Sequence, residues 1–136
     1  MTTPEGGEAI LIVDDNEANL KLARVLLQSA GYVVRTADSA ELALQTLVSF
    51  RPRLILMDIQ LPGTDGLELS RRLKDDPATR DIVILALTAY AMKGDEERVR
   101  KAGCDGYISK PIDTRTLPET VARHLRAPAR GPEDRA

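Results

Sequence analysis

Five polar residues in this chain close short apolar runs, and each is of a type that can do chemistry. Asp14 and Asp15 follow Ala9 to Val13, Asp58 follows Leu54 to Met57, Thr88 follows Ile82 to Leu87, and Lys110 ends Gly106 to Ser109. If the chain brings them together, three carboxylates meet one hydroxyl and one ammonium. Such carboxylates cannot all stay ionised within a few ångströms of one another unless a cation offsets their repulsion. Oxygen ligands without His or Cys favour Mg²⁺ over zinc or iron. A magnesium ion shared between protein and solvent is suited to a phosphoryl group, with Lys110 to neutralise its charge and Thr88 to donate to an oxygen. Asp58, the lone acid at its strand end, is the expected nucleophile, since carboxylates form aspartyl phosphates.

Each residue also has a plainer role available. Asp14 and Asp15 precede a helix and Asp is a common cap. Asp58 could simply close a strand, Thr88 could sit in a turn, and Lys110 could be solvated like most lysines. The conjunction argues otherwise, because the fold described next puts a site at these positions before their residue types are considered.

Ala9–Val13, Leu54–Met57 and Ile82–Leu87 are almost wholly apolar, as strands buried on both faces of a parallel sheet are. Tyr32–Thr36 and Gly106–Lys110 mix apolar with polar residues and suit sheet edges. Between them lie helical patterns. In 16–30, Glu17, Lys21, Arg24 and Gln28 mark a polar stripe and leave Leu22, Ala23, Leu26, Leu27 and Ala30 as an apolar face before Gly31. The stretch 38–50 opens with Asp38 as a capping residue and carries Leu42, Ala43, Leu44 and Leu47, with Pro52 beyond it. Leu67, Leu69 and Leu73 follow a Gly63-Thr64-Asp65-Gly66 turn, and 92–102 forms a fourth helix weakened by Gly94. Leu117, Val121 and Leu125 mark a fifth helix, whose start Pro118 leaves open. A strand–helix unit repeated five times gives an α/β doubly wound five-stranded parallel sheet, and strand order 2-1-3-4-5 puts the mixed strands at the edges. In such a sheet the ligand site lies outside the carboxyl ends of the strands.

Composition narrows the function classes. The 136 residues suit one domain, expected over 9–126, with 1–8 and a disordered 127–136 as tails. Lys plus Arg number 19 and Asp plus Glu 21, a balance that argues against non-specific nucleic-acid binding. One Phe and three Tyr cannot build a base-stacking platform. The longest apolar run, Ile82 to Leu87, is far short of the roughly 20 residues of a membrane span, so no membrane association is expected. The opening residues show no basic or apolar signal segment, and the single cysteine, Cys104, cannot form an internal disulfide, so a cytoplasmic location is expected.

The ordered set Val13-Asp14-Asp15-Asn16, Met57-Asp58-Ile59-Gln60-Leu61-Pro62-Gly63-Thr64-Asp65-Gly66, Leu87-Thr88-Ala89 and Tyr107-Ile108-Ser109-Lys110-Pro111 resembles the receiver domain of two-component response regulators, over about Ile10 to Leu125. That resemblance implies a flavodoxin-like fold and phosphorylation of Asp58 by a phosphohistidine donor. It implies that Asp14, Asp15, Asp58 and the backbone carbonyl of Gln60 organise Mg²⁺, that Thr88 and Lys110 bind the phosphoryl group, and that the Lys110–Pro111 peptide is cis. Tyr107 takes the place of the aromatic that turns inward as Thr88 moves. The implied partners are a sensor histidine kinase or a histidine phosphotransfer protein, together with a downstream protein target. The segment 91–98, with Gly103-Cys104 and 107–112, is also similar to DivK-type single-domain regulators, whose wording receivers inside hybrid kinases share. The expected signal is a population shift in the face formed by the fourth strand, fourth helix, fifth strand and fifth helix.

Rival functions are a Mg²⁺-dependent aspartate-nucleophile hydrolase, a flavodoxin-like cofactor binder and a non-switching docking module on the same fold. The hydrolase usually needs a second acid two residues after the nucleophile, where this chain has Gln60. Asp14 and Asp15 would repel a flavin phosphate, and no phosphate-binding Gly-x-x-x-x-Gly-Lys run exists. A true enzyme acting on external substrates is therefore not expected. His124, near the end of the last helix, is expected to meet solvent or the helix dipole, and Cys104 to be a small buried apolar residue.

Overall fold

The computed structural model describes residues 8–61, 64–88, 93–110 and 112–126. Its elements run β1 (Ala9–Val13), α1 (Glu17–Ser29), β2 (Val33–Ala37), α2 (Ala40–Ser49), β3 (Leu54–Asp58), β4 (Gln60–Leu61), β5 (Thr64–Asp65), α3 (Gly66–Asp75), β6 (Val83–Thr88), α4 (Lys93–Lys101), β7 (Gly106–Ser109) and α5 (Leu117–Arg126). Five strands form one sheet in the order β2-β1-β3-β6-β7, every pairing parallel. With β6 and β7 as the fourth and fifth long strands, this is the doubly wound 2-1-3-4-5 arrangement expected from the sequence.

The three apolar runs are central because both of their faces are covered. One face sends Ile10, Ile12, Leu54, Leu56, Leu85 and Leu87 against Ala23 and Leu27 of α1 and Leu117, Val121 and Leu125 of α5. The opposite face sends Leu11, Val13, Ile55, Met57 and Ile84 against Ala40, Ala43 and Leu47 of α2 and Leu69 and Leu73 of α3. A smaller cluster of Ile59, Leu67, Ala86, Val99 and Ala102 holds α4. Glu8 joins the sheet's lower edge: its carbonyl accepts from Val33 N at 3.0 Å, and its carboxylate pairs with Arg53.

Local details depart from the sequence expectations for identifiable reasons. The second strand starts at Val33 and runs to Ala37, because Ala9 pairs with Val33 and Val13 with Ala37. The fourth strand ends on Thr88 itself. Helix α2 is capped by Ser39 and not Asp38, the Ser39 side chain accepting from Leu42 N. In α1 only Ala23 and Leu27 are fully buried, with Leu26 partly so, while Leu22 and the C-capping Ala30 lie exposed. A helix packed on a sheet buries a stripe, and α1 carries more apolar residues than that stripe can hold. Pro118 sits in the first turn of α5, where a missing N–H breaks no helical bond. The hairpin β4–β5, with Gln60 opposite Asp65, is too short to leave a periodic signal. Residues 1–7 and 127–136, Met92, Gly63 and Pro111, with its expected cis peptide, lie outside the described residues.

Candidate functional site: an acidic pocket at the sheet's carboxyl rim

Strands β1 and β3 are adjacent and in register at Val13 and Met57, so their next residues, Asp14 and Asp58, emerge side by side at the point where strand order reverses. Both are sealed in: Asp14 is 0% exposed and Asp58 2%, while Asp15 is exposed. Asp14, Asp15 and Asp58 each offer a carboxylate oxygen within 4.8 Å of the others'. Lys110, at the end of β7, spans the buried pair, its Nζ lying 3.2 Å from Asp58 Oδ2 and 3.4 Å from Asp14 Oδ2. Its backbone is fixed too, since Lys110 N donates to Thr88 O at 2.7 Å. Thr88, 2% exposed, ends β6 beside β3, where Asp58 pairs with Leu87.

The remaining bonds hold these carboxylates in place. Asp58 Oδ1 accepts from Gln60 N at 3.0 Å, and Asp14 Oδ1 accepts from Asn16 N at 2.9 Å. Asn16 also caps α1 by accepting from Asn19 N at 3.0 Å. Capping therefore falls to Asn16, which leaves Asp14 and Asp15 available for the pocket. Burial pushes the Asp58 carboxyl up to about 6; the Gln60 N–H opposes it, the Asp14 charge adds to it, and Lys110 opposes it. Among the described residues one ammonium thus spans the two buried acids, with the exposed Asp15 beside them, in an oxygen-only donor set. That set suits a hard divalent cation, which would supply the missing positive charge.

Gly66 has a structural role that the sequence motif alone did not show. A Cβ there would lie 2.1 Å from Asp58 O and 2.7 Å from Ile59 Cα, so α3 can start against the acid's own backbone only if residue 66 lacks a side chain. Its N–H donates to Ile59 O at 3.2 Å, tying the helix start to the pocket floor. Asn19 was also missed. Its side chain reaches Asp14 Oδ2 at 3.4 Å, and the signal was available in an Asn three residues after a capping Asn, one turn above the acid pair.

The other singled-out residues sit apart from the pocket chemistry. Tyr107 is 37% exposed on the edge strand β7. His124 Nδ1 lies 2.9 Å from Thr120 O, and its ring covers Gly106, where a Cβ would come within 2.9 Å of Nε2. Cys104 packs beside both apolar clusters of its sheet face, and burial pushes its thiol up more than the Ser70 hydroxyl pulls it down.

Residues 10–122 match the response regulator receiver domain, and the chain belongs to that family. It is 50% identical over 119 residues to the polar-differentiation response regulator DivK of Brucella anthropi, covering 87% of this chain and 96% of that one. The chemotaxis response regulator CheY4 of Vibrio cholerae superposes with a TM-score of 0.81 at 27% identity, over 86% of this chain and 98% of its own. The receiver domain of a Pseudomonas aeruginosa sensor histidine kinase, with a magnesium ion in its active-site cleft, superposes with a TM-score of 0.80 at 33% identity, over 89% and 99% of the two chains. The protein is a receiver of the two-component signalling type, similar to DivK and CheY.

Proposed function

We propose that Asp58 accepts a phosphoryl group from a phosphohistidine donor, a sensor histidine kinase or a histidine phosphotransfer protein, and that the acyl phosphate biases the domain toward a signalling conformation. The observation that carries this reading is the pocket: a buried carboxylate at the end of the central strand, flanked by two acids and held by one lysine. Magnesium is the proposed metal. Asp14, Asp15, Asp58 and the Gln60 carbonyl would hold it, and bound there it would draw charge from the phosphoryl oxygens and let the acids stay ionised. In the transfer, an Asp58 carboxylate oxygen bonds to phosphorus as the P–N bond breaks, and the imidazole leaves with the electron pair and takes a proton. Lys110, freed from Asp58 Oδ2, then pairs with the phosphoryl oxygens, and the Thr88 hydroxyl donates to one of them. The same residues allow slow return of the phosphoryl group to water, so the chain turns over its own modification and no external substrate.

The proposed output is protein–protein contact through α4, β7 and α5. Thr88 ends β6 and Lys110 directly follows β7, so drawing them inward reshapes that edge, with Tyr107 following from its exposed place on β7. No helix among the described residues is long and apolar enough to cross a membrane, and a cytoplasmic partner kinase domain is the proposed donor. The test is incubation with acetyl phosphate and Mg²⁺, read by intact mass. One added phosphoryl group is expected on the wild type, and none on Asp58→Asn or in EDTA. Labelling that survives metal removal would defeat the proposal.

A further inference from the structure

Asp14 is wholly buried, yet among the described residues the charged partner found for it is Lys110, and that partner is shared. Lys110 Nζ stands 3.4 Å from Asp14 Oδ2 and 3.2 Å from Asp58 Oδ2. The second donor to the same Asp14 oxygen is the amide of Asn19, at 3.4 Å. A carboxylate only accepts, so it is the NH₂ and not the carbonyl of Asn19 that faces it. The placement is built from the helix start. Asn16 caps α1 and accepts from Asn19 N at 3.0 Å, while Asn16 N donates to Asp14 Oδ1 at 2.9 Å. Residue 19 is thereby set on the first turn, over the acid, on a helix anchored to the sheet by Ala23 and Leu27.

We infer that Asn19 is a positioning residue for Asp14, holding its carboxylate toward the acid cluster when Lys110 is drawn away to a phosphoryl group; this rests on the phosphoacceptor reading above. The residue type matters. A lysine or arginine at 19 would hold Asp14 equally well, but it would cancel charge that a divalent cation needs. An alanine would leave one oxygen of a buried acid without its neutral donor once Lys110 moves. A neutral amide fixes the geometry and leaves the net charge of the pocket as it was, as hydrogen bonds behind metal ligands generally do.

Calorimetric titration of the full chain with MgCl₂, without phosphate, tests this. Asn19→Ala is expected to weaken magnesium binding roughly tenfold, the lower end for lost support behind a ligand, and Asn19→Gln to recover affinity to within about threefold. Thermal melting in EDTA separates folding from binding. Alanine favours helices, so Asn19→Ala should melt no lower than the wild type without metal. Magnesium affinity within twofold of the wild type in Asn19→Ala would overturn the inference, as would equal losses in the alanine and glutamine variants. A wild type that takes up no magnesium would overturn the phosphoacceptor reading along with it.

Discussion

Helices α3 and α4 follow one another on the same face of the sheet, and they are held in opposite ways. Helix α3 is fastened along its whole length. Gly66 starts it against the Asp58 backbone, Leu67, Leu69 and Leu73 bury their side chains, and Ser70 is sealed with its hydroxyl donating to Gly66 O at 2.9 Å. Past its end, Thr79 donates to Leu73 O at 2.6 Å. Lys74 reaches Asp105 Oδ2 at 2.9 Å and Ile82 O at 2.7 Å. Helix α4 carries Lys, Gly, Asp, Glu, Glu and Arg through its first six positions, and the apolar anchors found for it are Val99 and, just beyond its end, Ala102. A switch domain needs a floor that keeps the nucleophile still and a reporter that moves cheaply. On the proposed reading the floor is α3 and the reporter is α4, whose apolar anchors among the described residues lie toward its C-terminal end.

The largest effect expected from this contrast is at Gly66. Gly66→Ala forces a carbon into the Asp58 backbone and should cost at least about 3 kcal/mol in urea unfolding, with acetyl phosphate labelling lost. Leu69→Ala, at a side chain 0% exposed, should cost about 3 kcal/mol, against about 2 kcal/mol for Val99→Ala, at 3%. Equal costs would erase the distinction between floor and reporter. Asp58→Asn removes a buried charge held next to another, so it should stabilise the metal-free protein by about 2 kcal/mol. The pH dependence follows from the same carboxyl. Its folded pKa of about 6 lies above the ordinary 3.8, so the native state binds more protons between those values. Metal-free stability is therefore greatest below pH 3.8 as far as this group is concerned, and falls as pH rises through about 6. Melting temperatures across that window should flatten in Asp58→Asn and in the wild type with magnesium. The smallest effect is at Gly94: Gly94→Ala should add roughly 0.5–1 kcal/mol of helix stability, keep labelling, and reduce the change in hydrogen exchange across α4 on phosphorylation.

The same contrast governs how much was readable from the sequence. The three central strands were legible because Ala9–Val13, Leu54–Met57 and Ile82–Leu87 are buried on both faces, and a doubly covered strand leaves an unbroken apolar run. The pocket was legible because the topology places residues 14, 58, 88 and 110 at strand ends whatever their type. What failed to show were features that depend on approach distance instead of pattern. Gly66 reads as an ordinary turn glycine until the backbone of Asp58 is seen beneath it. Asn19 reads as a polar helix residue, and Asp38 was read as the cap of α2 in place of Ser39 because each is an acceptable cap on its own. Leu22 and Ala30 satisfied the helical period yet stayed outside, since the period states which residues share a side and not how wide the contact will be.

One consequence of the Lys110 bridge concerns assembly of the chain itself. Because a single ammonium touches both sealed acids, the polypeptide brings its own counter-ion to the place where repulsion would be worst, and folding need not wait for an ion from solution. That placeholder directly follows the last strand of the sheet. The pocket is therefore left without that ammonium until the sheet's final edge is laid down, and a chain truncated before β7 would carry two buried acids held only by neutral donors.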